Sequence, residues 1–259
     1  MPQPIRCSAC RDGLPLDFDF TMAFQPIVDV AAGRVWAYEA LVRGPQGQPA
    51  PSVLERITDA NRYKFDQACR VKAITMAGEL FPDDDTRLSI NFMPNAVYEP
   101  AACIRASLEA ASSAGFRRDR IMFEFTEDER FQDVGHLKRI VAEYRRQGFL
   151  TAIDDFGAGY AGLHLLAEFQ PDWIKIDMDL IRDIHLQPAR QAIVAGILGT
   201  ARALDVQVIA EGIETAEELA VLRAAGISLF QGYHFARPML AALPPVALAA
   251  ADEAGRRTA

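Results

Sequence analysis

The sequence predicts an α/β fold, a modified (β/α)8 barrel of the TIM type with an antiparallel first strand. Three observations predict it. Eight short apolar runs rich in Ile, Val and Phe, each bounded by turn residues, read as strands. Helical stretches separate most of them, the alternation of a parallel sheet, and eight such strands close a barrel. Only Val30-Ala31-Ala32-Gly33 separates the first two runs. A parallel crossover needs roughly a dozen residues or more, so this pair forms an antiparallel hairpin.

The predicted strands cover residues 23–29, 34–41, 87–92, 120–125, 149–154, 172–177, 206–211 and 228–232. Ser52, with Glu55 three residues on, reads as a capping box that opens a helix through about Leu80. Helices follow over 96–114 and 133–147, the second stopped by Gly148. Others span roughly 160–168, 188–204 and 215–225, with Gly226 at the last stop, and an apolar helix occupies about 242–254. Residues 1–21 lack periodicity and read as a flexible N-terminal leader. Residues 22–259 read as a single barrel domain, without repeats or an internal linker.

Half of the 259 residues are hydrophobic, enough for a substantial core, and the net charge is −8 without a long basic run. That balance argues against a nucleic-acid polymer as partner. No apolar run reaches the length of a membrane span, and the first residues lack the apolar segment of a signal peptide. These features predict a cytoplasmic protein with no membrane partner. Cys7 and Cys10 form a lone C-x-x-C; zinc would need a second pair, and the other cysteines, Cys69 and Cys103, stand apart. The pair reads as reduced thiols of a cytosolic chain.

The polar residues fall in a pattern. Glu39, Asn91, Glu124, Asp154 with Asp155, Lys175 with Asp177, Glu211 and Gln231 each end a predicted strand. In a parallel barrel those ends converge on one rim, where barrel active sites lie. Singly, each has a plain reading: a solvated carboxylate, a helix cap, a surface ion pair, an Asx turn before the glycines of "DDFGAG". Seven strands ending this way make the joint reading the better one. Five carboxylates in one mouth would force several to protonate unless cations sit among them. Oxygen donors without His or thiolate suit Mg²⁺ or Mn²⁺. Adjacent aspartates can serve two ions at once, the arrangement that drives in-line displacement at phosphorus.

The segments "YEALVRG" (38–44), "INFMPN" (90–95), "FEFTEDE" (123–129), "IDDFGAGYAGL" (153–163), "WIKIDMDLI" (173–181), "IAEGIET" (209–215) and "QGYHFARP" (231–238) occur in that order. Together they resemble the EAL domain, the cyclic di-GMP-specific phosphodiesterase of bacteria, over about residues 22–240. The resemblance implies a barrel with an inverted first strand and hydrolysis of cyclic di-GMP to linear pGpG, dependent on two Mg²⁺ or Mn²⁺ ions. It implies that Glu39, Asn91, Glu124 and Asp154 hold one ion, and Asp154 and Asp155 the other with help from Glu211. Glu211, Lys175 and Glu39 stand at its catalytic positions, with Lys175 contacting the attacking water and Glu211 accepting its proton. Gln25, Leu41, Arg43, Asp177 and Gln231 match substrate-binding positions, and Glu127 and Glu214 supporting ones. It also implies a homodimer formed through the region after strands five and six. Met93, Ala161 and Gly162 stand where the family commonly has serine.

Two other readings belong beside this one. A catalytically silent cyclic di-GMP receptor would share the fold, although such receptors usually lose ligands that are intact here. An enolase-like lyase would also combine carboxylates, Mg²⁺ and a lysine. Asn91 and the paired aspartates argue against it.

Overall fold

The computed structural model describes residues 16–126, 134–159 and 162–246. The chain runs β1 (Thr21–Asp29), β2 (Arg34–Arg43), α1 (Ala50–Leu54), α2 (Arg62–Leu80), β3 (Arg87–Asn91), α3 (Pro100–Cys103), α4 (Arg105–Ser113) and β4 (Ile121–Thr126). It continues with α5 (Val134–Arg146), β5 (Leu150–Phe156), α6 (Gly162–Glu168), β6 (Trp173–Ile176), α7 (Met178–Ile181) and α8 (Pro188–Ala203). It closes with β7 (Gln207–Ala210), α9 (Ala216–Ala224), β8 (Leu229–Gln231) and β9 (Met239–Leu240).

Strands β2 to β8 pair in chain order and in parallel. Strand β1 closes the ring by pairing antiparallel with both β2 and β8. The short connection enforces this inversion. Asp29 Oδ1 accepts from the amides of Ala31 and Ala32 at 3.0 and 2.9 Å. Gly33 takes φ 63, a left-handed turn conformation that glycine adopts without a Cβ penalty. Strand β9 is an addition the sequence pattern did not signal. It pairs with Ala23 and Phe24 of β1, beyond the point where β8 ends.

Side chains alternate along the strands, and the alternation sorts the core into two layers. Phe24, Tyr38, Ile90, Phe123, Ile153, Ile174, Ala210 and Phe230 face outward into the shell of helices. The other parity places Ile27, Ala37, Met122, Ala152, Ile209 and Leu229 in a small inner cluster that plugs the barrel, joined by Trp36 where the pairing of β1 with β2 slips. Trp36 and Trp173 meet there with ring centres 4.6 Å apart.

The helices differ from the sequence reading in three places. The helix predicted from Ser52 to Leu80 is two helices, and Ser52–Glu55 is no capping box. Ser52 Oγ donates to Pro49 O at 2.7 Å instead. Asn61 makes the break: its Oδ1 accepts from Thr58 N at 2.8 Å and its Nδ2 donates to Arg56 O at 3.0 Å, replacing helical backbone bonds by side-chain ones. The helix predicted over 96–114 is a 3₁₀ turn (Pro94–Ala96) followed by α3 and α4. Pro100 has no N–H to continue a helix through it and stands at the first position of α3. The predicted last helix is absent over 243–246, and its remainder lies outside the described residues.

Of the leader, residues 16–20 pack onto the barrel. Phe20 is buried, with its ring centre 5.4 Å from that of Phe65, and the Arg56 guanidinium lies 4.5 Å over Phe18. Cys7 and Cys10 lie outside the described residues. Among the described residues, no helix is long and apolar enough to cross a membrane.

Candidate active site

The inner plug is the floor of a polar centre, built by the same alternation. Two residues above the plug, six of the seven parallel strands turn from apolar to polar. Ala37 leads to Glu39, Met122 to Glu124, Ala152 to Asp154, Trp173 to Lys175, Ile209 to Glu211 and Leu229 to Gln231. In the inverted strand the order reverses, and Gln25 precedes Ile27. Strand β3 contributes Ser89, paired in register with Glu39, and then Asn91, paired with Glu124.

Lys175 stands at the middle, fully buried. Its Nζ lies 2.6 Å from Glu211 Oε1, 3.0 Å from both Glu124 Oε2 and Asp154 Oδ1, and 3.4 Å from Glu39 Oε2. Glu39 is clamped by amides on both sides: Asn91 Nδ2 donates to Oε1 at 2.8 Å and Gln231 Nε2 to Oε2 at 2.7 Å. The same Gln231 amide donates to Gln25 Oε1 at 3.2 Å. Gln25 and Gln231 therefore brace a carboxylate as well as lining the mouth.

A bulge explains the adjacent aspartates. Strand alternation would send Asp155 out of the barrel when Asp154 points in. The pairing of β5 with β6 slips between Ile153 and Phe156, and Asp155 takes a left-handed φ of 52°. Bulges re-aim side chains in this way, and the conformation costs a non-glycine residue roughly 1 kcal/mol. Asp154 and Asp155 both reach the same cavity as a result.

Two carboxylate triads follow. Glu39, Glu124 and Asp154 present oxygens within 4.8 Å of one another, and so do Asp154, Asp155 and Glu211. Asp154 belongs to both. Five carboxylates face one ammonium; fully ionised, they would leave an excess of about four negative charges, the charge of two divalent cations. Burial, joined by Glu39 and Asp154 and opposed by Lys175, pushes Glu124 up to about 8. Burial, with Asp154 and Asp177, pushes Asp155 up to about 6. Burial and Asp154 also lift Glu211 well above the usual carboxylate range. For Lys175 burial acts downward, but the attraction of Asp154, Glu124, Glu211 and Glu39 outweighs it and holds the ammonium well above its ordinary value. Glu124 Oε1 is buried without a hydrogen-bond donor. An oxygen-only donor set, an orphaned carboxylate oxygen and carboxyls crowded enough to hold protons all fit hard divalent cations.

The cavity above the cluster has a volume of about 270 Å³ and takes in Asp177, Glu214 and Tyr233 at its wall. Asp177 lies one residue past β6 rather than at its end. It caps α7, its Oδ1 accepting from Asp179 N at 2.8 Å. Glu214 is paired with Arg182 at 2.9 Å. Leu41 and Arg43 line a second, mostly apolar cavity of about 560 Å³, which reaches the cluster at Asn91. Met93 lines that second cavity. Gly162 is buried at the start of α6. Glu127 and Ala161 lie outside the described residues.

Sequence reasoning missed Ser89 and Tyr233. Ser89 carries the same period-two signal as its neighbours, two residues before Asn91. Tyr233 follows β8 in a turn where no periodicity applies. The Arg237 guanidinium lies 4.1 Å over its ring.

Residues 11–238 match the family model of the EAL domain. The chain belongs to the EAL family. This EAL domain is 36% identical over 225 residues to the blue light- and temperature-regulated antirepressor BluF of Escherichia coli, covering 87% of this chain and 56% of BluF. It is 31% identical over 239 residues to the cyclic di-GMP phosphodiesterase NbdA of Pseudomonas aeruginosa, covering 88% of this chain and 30% of NbdA. The chain thus spans about half or less of those relatives. Among solved structures, a standalone versatile EAL protein from Vibrio cholerae bound to c-di-GMP superposes with a TM-score of 0.86 at 54% identity, covering 90% of this chain and 97% of that one. A manganese and cyclic di-GMP complex of Klebsiella pneumoniae BlrP1 gives 0.81 at 36% identity, covering 93% and 62%.

Proposed function

We propose that this EAL domain is a metal-dependent phosphodiesterase that hydrolyses cyclic di-GMP to linear pGpG. The observation that carries the reading is the pair of carboxylate triads sharing Asp154, with Lys175 among them. The phosphodiesterase name of NbdA and the ligands in the Vibrio and Klebsiella structures support it.

Glu39, Asn91, Glu124 and Asp154 would hold one Mg²⁺ or Mn²⁺; Asp154, Asp155 and Glu211 would hold the second. Bound there, the ions supply activation of water and neutralisation of phosphate charge. Lys175, kept cationic by its four carboxylates, orients the water and steadies the charge that grows on phosphorus oxygens. Glu211 accepts the water's proton from its place beside Lys175 and the shared Asp154. The P–O bond to water forms as the bond to a ribose 3′-oxygen breaks; that oxygen takes a proton from solvent, and Glu211 returns its own to solvent. Gln25, Leu41, Arg43, Asp177 and Gln231 orient the dinucleotide, and Glu127 and Glu214 support the rim loops.

The domain works as a homodimer in this reading. Leu163, Leu186 and Ile193 are all more than half exposed and follow β5 and β6, an apolar surface for a second copy.

The silent receptor keeps one argument, the antirepressor name of BluF. Incubation with cyclic di-GMP in Mg²⁺, Mn²⁺ or EDTA, followed by chromatography, separates the two. Metal-dependent pGpG supports the enzyme; tight binding with intact cyclic di-GMP in every tube supports the receptor.

A further inference from the structure

Behind the rim, a buried ion pair has no part in the chemistry above. Asp66 and Arg70, one turn apart on α2, are 3% and 1% exposed and meet at 2.6 Å. Arg70 Nη1 also donates to Tyr144 Oη at 3.1 Å. Burying two charges is costly before their attraction is counted, so such a pair is weak support for stability alone. The second Asp66 oxygen has a different target. Asp66 Oδ1 accepts from the backbone amide of Met93 at 2.9 Å.

Met93 stands two residues after Asn91, just past the end of β3. Phe92 between them is fixed on both sides. Its amide donates to Glu124 O at 2.9 Å, and its ring lies 5.4 Å from that of Tyr144. The segment carrying Asn91 out of the sheet is therefore held by Asp66 at one peptide and by Tyr144 at the next side chain. Arg70 ties these two holders together. Asn91 spends its Nδ2 on Glu39, which leaves its Oδ1 as the donor to a cation.

We infer that the Asp66–Arg70–Tyr144 network is a positioning device for Asn91, with Asp66 fixing the Met93 peptide so that the amide oxygen meets the metal. This rests on the reading of Asn91 as a ligand. Groups that orient metal ligands from behind typically alter affinity by about 10- to 100-fold when lost.

The test compares two neutral replacements of the pair. Asp66→Asn with Arg70→Met retains an acceptor for the Met93 amide; Asp66→Leu with Arg70→Met does not. Mn²⁺ affinity is read from the loss of the free-ion EPR signal, with Tm measured beside it. The expected result is near wild-type affinity in the asparagine variant and about tenfold weaker binding in the leucine variant. Equal affinity in both, with Asn91→Ala weakened, overturns the positioning role and leaves Asn91 as ligand. Wild-type affinity in Asn91→Ala removes the ligand itself, and the inference with it. Tyr144→Phe keeps the test open if the leucine variant does not fold: about threefold weaker binding is expected, the size of one net hydrogen bond, and unchanged affinity overturns the role.

Discussion

Lys175 Nζ sits 2.6 Å from Glu211 Oε1, the shortest of its four carboxylate contacts. The group proposed to hold charge and the group proposed to take a proton are thus directly bonded. Neither can change without altering the other.

Lys175→Ala is therefore expected to lower turnover of cyclic di-GMP by at least about 100-fold, the scale of losing one preorganised charge donor. Binding of cyclic di-GMP should shift only a few-fold. Steady-state rates beside calorimetric binding check the split, and equal loss of both would count against the role.

The pH dependence of stability follows from the raised carboxyls. Glu124 rises from 4.5 to about 8 and Asp155 from 3.8 to about 6. The folded protein binds these protons more tightly than the unfolded chain. Their stabilising contribution is complete below the unfolded values and is lost as pH climbs through about 6 and then about 8. Without metal, Tm should fall between pH 5 and 8. Mn²⁺ should raise Tm more at pH 8 than at pH 6, and thermal melts at the two pH values with and without EDTA decide it.

Asp155→Asn removes a like charge beside Asp154 while keeping a residue type that tolerates the left-handed backbone. Metal-free protein should melt a few degrees higher, because about 1 kcal/mol moves Tm by roughly 2–4 °C in a domain of this size. Hydrolysis should fall about 100-fold or more with the loss of a cation ligand. A lower Tm would show that the paired aspartates do not repel.

Gly212 follows Glu211 directly at φ 68, and a Cβ there would collide with Met178 Cβ. Gly212→Ala should cost roughly 1–3 kcal/mol through strain and overpacking, and should lower activity by displacing Glu211. Urea melts and rates measured on the same preparation test it.

The barrel was legible because a short apolar run bounded by turn residues is written eight times, and the short Val30–Gly33 connection fixes the inversion by length alone. The cluster was legible because a polar residue stands at the end of seven of those runs. What was hidden depends on contacts far apart in sequence. Nothing before Asn61 announces that its side chain will interrupt a helix. The bulge that turns Asp155 inward is a property of the pairing with β6. Gln231 bracing Glu39, and Asp66 holding Met93, join residues that no local pattern connects.

The central claim is a centre for two cations sharing Asp154. Equilibrium dialysis of Mn²⁺ at pH 8, with metal counted per chain, tests it most directly. Two ions are expected on the wild-type protein, with Asp154→Ala losing tight binding of both. One ion or none on the wild type, or two ions retained by Asp154→Ala, would contradict it.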